Sequence, residues 1–156
     1  MPTIHSTIEI AAPPDPLFRL SQDYGLRLEW DPFVRELRFL DGATEPAVGV
    51  QVWVRAKNGL TMSVRYITVS RPGHIAMTMV QGPWLFGRFS GAWKFRELEG
   101  GARTEVVFSY NFETRPAWLR FLMTPIARAR LQRDMDERLA ALKRSVETTD
   151  ILRRLG

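Results

Sequence analysis

Few residues in this chain are placed to do acid–base or nucleophilic chemistry. There are two histidines, His5 and His74, and no cysteine. His5 alternates with the isoleucines of "TIHSTIEI", which turns it toward solvent, and His74 follows Pro72-Gly73 in a turn. No acidic residue is spaced with either to build a metal site or a catalytic triad. Cysteine nucleophiles, thiolate metal sites and disulfides are excluded by composition. The chain has no G-x-S-x-G elbow, phosphate-cradling loop or dinucleotide fingerprint. What remains is hydrogen-bond chemistry. Tyr66 shares the strand parity of Met62 and Val64, and Tyr110 that of Phe108 and Phe112. Each hydroxyl then sits among apolar side chains and needs a partner, which a ligand oxygen, a backbone carbonyl or water could supply. Arg55 and Arg65 are the nearby strand arginines. Alternation puts both on the outward faces, and only a one-residue bulge would reverse that.

The elements that must position these groups follow from periodicity. Residues 3–10 alternate as a half-buried strand, with Ile4, Ile8 and Ile10 on one side. "AAPPDP" ends it. Residues 14–23 read as a short helix opening on proline and acid, and 24–30 as a second, closed by "WDP". From residue 33 the period is two for about eighty residues. Strands centre on 34–40, 48–54, 60–66, 75–79, 89–95 and 106–112, with Asp41-Gly42, "KNG", "SRPG", "QGPW" and "EGGA" as the turns between them. Pro116 then opens a long helix. Leu131, Met135, Leu139, Leu142 and Val146 form its apolar stripe, and Pro125 should kink it or break its hydrogen bonding. One face of such a sheet must be buried, and the last helix is the large element available to cover it.

Residues 80–95, "VQGPWLFGRFSGAWKF", stand out. Trp93 and Phe95 share a face with Gly91, which either leaves room or lets the strand bend. Large residues beside a missing one can wall a cavity or fill a dense core. The charge pattern adds a second feature. Net charge is +5, and 19 of the 22 basic residues are arginine. Residues 114–133 hold Arg115, Arg120, Arg128, Arg130 and Arg133 with no acid, interleaved with Trp118, Leu119, Phe121, Leu122 and Met123. With the apolar turn Trp84–Phe86, this composition suits peripheral contact with a membrane surface, or a helix with a solvated basic face. No nucleic-acid-binding module is recognisable. "MPTIHSTIEI" lacks the features of a signal peptide, and no apolar run approaches the ~20 residues of a membrane span. A cytoplasmic protein is expected.

The order and spacing of "IEIAAPPDPLFRLSQD", "LEWDPF", "GPWLFGRFSGAWKFRELEGGARTEVVFSYNFE" and the final helix resemble the START-like or SRPBCC superfamily. The third segment is similar to the polyketide cyclase/dehydrase and coenzyme-Q-binding branch. The resemblance covers nearly the whole chain, and it implies one START-like domain over residues 1–156. The implied fold is α+β: a helix-grip fold with a seven-stranded antiparallel sheet wrapped around a long C-terminal helix, and two short helices after the first strand. It also implies a cavity between sheet and helix, which favours the cavity reading of Gly91, Trp93 and Phe95.

Three functions are then in play. The first is a carrier of a hydrophobic small molecule such as a lipid, isoprenoid quinone or aromatic polyketide. Its expected contacts are Tyr24, Trp30, Tyr66, Trp93, Phe95, Phe108, Tyr110, Trp118, Leu122 and Ile126, with Tyr24 and Trp30 at the mouth; no cofactor is expected. The second is a polyketide cyclase or dehydratase. Cyclases of this fold are thought to polarise carbonyls with a buried arginine and tyrosine, so this reading requires a buried arginine beside Tyr66 or Tyr110. The third is a protein-interaction adaptor, which requires a filled core and an exposed apolar patch around Trp84 and Trp118.

Overall fold

A computed structural model of the chain describes residues 2–155. Strand β1 (Thr3–Ile10) leads into helices α1 (Pro14–Gln22) and α2 (Tyr24–Trp30). Strands β2 (Val34–Phe39), β3 (Gln51–Ala56), β4 (Thr61–Ser70), β5 (His74–Gln81), β6 (Phe86–Leu98) and β7 (Arg103–Thr114) follow, then helix α3 (Arg120–Thr148). All seven strands form one antiparallel sheet, ordered β1-β7-β6-β5-β4-β3-β2. Six strands are a simple meander. β1 closes the far edge by pairing with β7, Ile4 opposite Tyr110 and Ile10 opposite Thr104. This is the helix-grip architecture, with a curled sheet gripping a long helix.

Local chemistry explains the joints. Pro14 and Asp15 start α1, where a missing N–H and a negative charge are both tolerated. Asp23 caps α2 by accepting from the Leu26 N–H at 3.1 Å. Gly59, at φ +93°, takes the left-handed position in the β3–β4 turn. In β4 the pairing with β5 slips between Tyr66 and Thr68, leaving Ile67 unpaired and 48 % exposed. This bulge resets the parity, so Tyr66 and Val69 both reach the core. Arg55 and Arg65 do stay on the outer face. Arg65 is exposed, and Arg55 lies 5.1 Å from the Trp53 ring that Arg38 also covers.

Helix α3 packs mainly on β1 and β7 through Leu131, Met135, Leu139, Leu142 and Val146. They share one core with Ile10, Leu17, Leu20, Ile75, Val106 and Phe112, which are fully buried. One expectation at its start needs correction. Pro116 is in extended conformation and precedes a 3₁₀ turn, Ala117–Leu119, so α3 proper begins at Arg120. Pro125 lies within α3 without dividing it. A bond between the Thr114 and Thr124 hydroxyls, 2.9 Å, ties this part of the helix to the end of β7. No helix among the described residues is long and apolar enough to cross a membrane.

Candidate functional site

The concave side of the sheet is filled toward the C-terminal half of α3 and open toward its N-terminal half. There it encloses a cavity of about 420 Å3, within the ~300–1,000 Å3 range of small-molecule sites. Its walls are mostly apolar: Val52 and Val54 from β3, Met62 and Val64 from β4, Met77 and Met79 from β5, and Met123, Ala127 and Leu131 from α3. Ile126 lines the cavity and is 57 % exposed, and so is Leu60, at 54 %. The cavity therefore reaches the surface between the β3–β4 turn, the Pro83–Phe86 loop and α3, beside Ile126.

The glycine–aromatic segment of β6 has a specific role here. Gly91 pairs with Tyr110 across the β6–β7 ladder. A Cβ at Gly91 would lie 3.1 Å from both Cδ1 and Cε1 of the Tyr110 ring. The missing side chain is thus the seat of that ring, which Phe89 flanks at 4.7 Å and Phe108 at 4.9 Å. Phe108 in turn stacks on Trp93 at 4.0 Å. Gly91 makes room for a tyrosine, and the aromatic ladder then fixes where its hydroxyl points.

That hydroxyl meets Arg138. The Arg138 Nη1 donates to the Tyr110 hydroxyl oxygen at 2.6 Å, while Nε and Nη2 donate to Asp31 Oδ2 at 3.2 and 3.0 Å. The guanidinium lies 4.8 Å from both the Phe33 and Phe108 rings. Asp31 Oδ2 also accepts from Arg27 Nε at 2.8 Å, and Oδ1 from the Phe33 N–H at 2.9 Å. Arg27 Nη1 donates to the Ser21 carbonyl at 2.7 Å. Arg27, Asp31 and Arg138 are all buried, and Arg27, Arg138 and Tyr110 all line the cavity. Burial alone would raise the Asp31 carboxyl; the charges of Arg138 and Arg27 outweigh it and hold the group at about 2, below its ordinary 3.8. Burial opposes the Arg138 charge too, but Asp31 and Tyr110 more than compensate, and its pKa is raised. Burial raises the Tyr110 phenol, with Arg138 offsetting only part.

A second polar group lines the cavity at Gln22, Tyr24 and Tyr66. The Tyr66 hydroxyl donates to Gln22 Oε1 at 2.6 Å, and the Tyr24 hydroxyl bonds the Tyr66 oxygen. Burial pushes the Tyr66 phenol well above its ordinary range, and Tyr24 beside it adds to the shift. Both protons of this pair are used inside the protein. The Tyr110 proton is not, because its oxygen accepts from Arg138 and no acceptor for the proton is found among the described residues.

Of the residues expected from sequence to contact a ligand, Tyr24, Tyr66, Trp93, Phe108, Tyr110 and Ile126 line the cavity. The other four do not. Trp30 is buried behind Trp93 in an edge-to-face contact at 6.4 Å, its indole N–H without a hydrogen-bond partner among the described residues. Phe95 is buried against Phe18. Trp118, in the 3₁₀ turn, and Leu122, in the first turn of α3, are 75 % and 50 % exposed. Sequence reasoning missed Arg27, Asp31 and Arg138. Yet Arg138 falls in register with the α3 stripe, three residues after Met135 and four before Leu142, and Arg27 and Asp31 are an i, i+4 pair in "RLEWD". Those spacings were the available signal. His5 is exposed and His74 half-buried. No cluster of metal-ligating side chains exists among the described residues.

Outside the mouth, Trp84 (64 % exposed), Trp118, Phe121 (79 %), Leu122 and Ile126 form an exposed apolar face. Arg115 ties its two parts together: its Nε donates to the Trp84 carbonyl at 2.5 Å and its backbone N–H to that of Leu85 at 2.8 Å.

A family model described as polyketide cyclase/dehydrase and lipid transport matches residues 1–147. No curated protein matches in sequence. Among solved structures, XoxI from Bacillus cereus superposes with a TM-score of 0.78 at 13% identity, covering 95% of this chain and 97% of its own. A START superfamily protein from Mycobacterium smegmatis gives 0.77 at 15% identity, over 93% and 97%. The Zhui aromatase/cyclase from a Streptomyces species gives 0.70 at 21% identity, over 94% and 96%. At these identities the structures establish a shared fold.

Proposed function

Because this chain belongs to the polyketide cyclase/dehydrase and lipid transport family, we propose that its cavity takes up a hydrophobic small molecule and holds it between the sheet and α3. The observation that carries this reading is the apolar space itself, which opens to the surface beside Leu60 and Ile126 and has two hydrogen-bonding groups in its lining. A core optimised only for stability would fill such a volume, since empty space forfeits contacts. Apolar burial supplies the affinity: about 200 Å2 of ligand surface is worth about 5 kcal/mol before the costs of association. An aromatic or isoprenoid body suits the methionine- and aromatic-lined walls, and a single oxygen function suits the Tyr110 hydroxyl. The exposed face around the mouth fits delivery from a membrane surface. Native mass spectrometry after mild purification is the test. A co-purifying apolar compound, displaced by bulky substitution at Ala127 or Leu131, is expected. A chain that purifies empty and takes up no apolar probe would remove the reading.

A second reading, catalysis of a cyclisation or dehydration, gains support from one observation. A buried arginine does stand beside Tyr110. A phenol whose oxygen accepts from a guanidinium is a stronger donor, and it would stabilise negative charge developing on a bound carbonyl oxygen. A fall in kcat for a poly-β-ketone probe in Tyr110→Phe, larger than the loss of binding in the same variant, separates catalysis from carriage. Of the two features the adaptor reading requires, the exposed patch around Trp84 and Trp118 is present and the filled core is not.

A further inference from the structure

Among the described residues, the charges that face the cavity do not cancel. Arg27 and Arg138 share one carboxylate, Asp31, at 2.8 and 3.0 Å. The carboxylate that itself lines the cavity, Asp134, is 3.5 Å from Arg130 and so is matched already. One positive charge is left over, on guanidinium groups whose side chains are only 9 % and 5 % exposed. A buried charge without a counter-charge is costly, so it is retained where something else supplies the partner. The unused donors are in the same place. The Arg27 guanidinium lies 5.3 Å from the Trp30 ring and 5.5 Å from the Trp93 ring, but its Nη2 has no hydrogen-bond partner among the described residues, and the Tyr110 proton has no acceptor there. Both belong to one network, Arg27–Asp31–Arg138–Tyr110, at the foot of the Trp93–Phe108 stack.

Building on the proposed cavity function, we infer that the cavity is a site for a hydrophobic acid, a ligand whose apolar body bears one ionised oxygen group that accepts from Tyr110 and Arg27. A carboxylate, a phenolate and the enolate of a β-dicarbonyl share this chemistry. The anion completes the charge balance at the Arg27–Asp31–Arg138 centre. The Gln22–Tyr66–Tyr24 group offers no equivalent, since both of its hydroxyl protons are already donated. Its polarity accommodates a neutral substituent at another point on the ligand.

The test compares 2-naphthoic acid with 2-naphthamide, bodies of the same size that differ in charge, by calorimetric titration at pH 7. The acid should bind the unmodified protein roughly tenfold or more tightly than the amide, the margin by which charge-assisted hydrogen bonds exceed neutral ones. In Arg27→Met, and separately Arg27→Gln, the preference should fall to about one while amide binding persists, in protein whose circular dichroism matches the parent. Equal binding of the two probes, or tighter binding of the amide, overturns the inference and leaves the cavity function standing. Binding of neither probe removes both. The ratio in the unmodified protein carries the test even if a variant fails to fold. To distinguish the sources of the anion, 2-naphthol and a cyclic 1,3-diketone replace the acid. The one with the largest pH-linked gain in affinity on ionisation identifies the class.

Discussion

Asp31 and Arg138 are bonded at 3.0 Å across 107 residues of sequence, one at the end of α2 and the other in the middle of α3. The pair joins the helical layer after β1 to the terminal helix, with Arg27 as a second cation on the same oxygen. The two partners are not equivalent. Asp31→Asn leaves two buried guanidiniums facing each other and should cost about 3–5 kcal/mol, the range for breaking a buried pair from one side. In Arg138→Met the Arg27–Asp31 bond survives and methionine can occupy the slot between Phe33 and Phe108, so the loss should be smaller, about 1–2 kcal/mol. Urea denaturation of the two variants should rank them in that order. The reverse order would show that Arg27 and Asp31 do not hold together once Arg138 is removed.

The same groups set the limits of pH stability. The folded Asp31 carboxyl is held at about 2 against an ordinary 3.8. Its pKa is depressed, so its stabilisation is complete above 3.8 and disappears as pH falls through about 2, amounting to about 2 kcal/mol. Tyr24, Tyr66 and Tyr110 are all raised above the ordinary 10.0, chiefly by burial. A raised group stabilises fully below its unfolded value, and here that contribution falls as pH climbs beyond 10. Stability measured by urea midpoint should be flat between about pH 5 and 9, then drop on both sides. In Asp31→Asn the acid-side drop should shrink, and in Tyr66→Phe the alkaline one. A profile in Tyr66→Phe identical to the parent's would show that this phenol ionises freely in the folded state.

Gly91 is a separate test of how the site is assembled. A methyl there would press on Tyr110 at 3.1 Å. The ring must move, and with it the hydroxyl that Arg138 holds. Gly91→Ala should cost about 1–3 kcal/mol as an overpacking change, and should weaken probe binding further than the stability loss explains. Tyr110→Leu in the same background should recover part of the stability and none of the binding. Thermal melts with and without 2-naphthoic acid measure both quantities. Full stability in Gly91→Ala would mean that the tyrosine has slack that its neighbours do not suggest.

The contrast between what periodicity reveals and what it hides is clear in these residues. Val52, Val64, Trp93, Phe108 and Tyr110 lie inside because strand parity is a two-state property, and neighbouring apolar residues fix its phase. Bulges such as that at Ile67 shift the phase, and nothing local to that residue announces it. Arg138 was hidden for a different reason. The helical stripe was traced through Leu131, Met135, Leu139 and Leu142, and a charged residue on the same face breaks the pattern used to find it, although its spacing fits. Trp118 and Leu122 show the converse. An apolar residue on a helix is placed inside by composition, but burial depends on whether the sheet extends far enough to cover it. The fold was therefore readable from pattern, and so was the inward parity of Tyr66, Trp93, Phe108 and Tyr110, whereas Trp30, Phe95, Trp118 and Leu122 lie outside the cavity lining. Its polar centre depends on contacts between α2 and α3 that no local pattern encodes.

The exposed face around the mouth yields the last prediction. Trp84, Trp118, Phe121, Leu122 and Ile126 together present more apolar surface than isolated exposed residues would, and Arg115, Arg120, Arg128 and Arg130 lie among or beside them. Arg120 is engaged by Glu113 and Arg130 by Asp134, which leaves Arg128 and Arg115 to meet anionic headgroups; each such contact is worth about 1 kcal/mol near the surface. The protein should sediment with vesicles containing phosphatidylserine and much less with purely zwitterionic ones, and added salt should release it. Trp118→Ser with Phe121→Ser should abolish sedimentation. Because both side chains are largely exposed, the pair should change folding stability by no more than about 0.5 kcal/mol each. Arg128→Glu should weaken anionic-vesicle binding alone. If the double variant binds vesicles as the parent does, the face serves another contact, and self-association of the parent at high concentration is the outcome that would identify it.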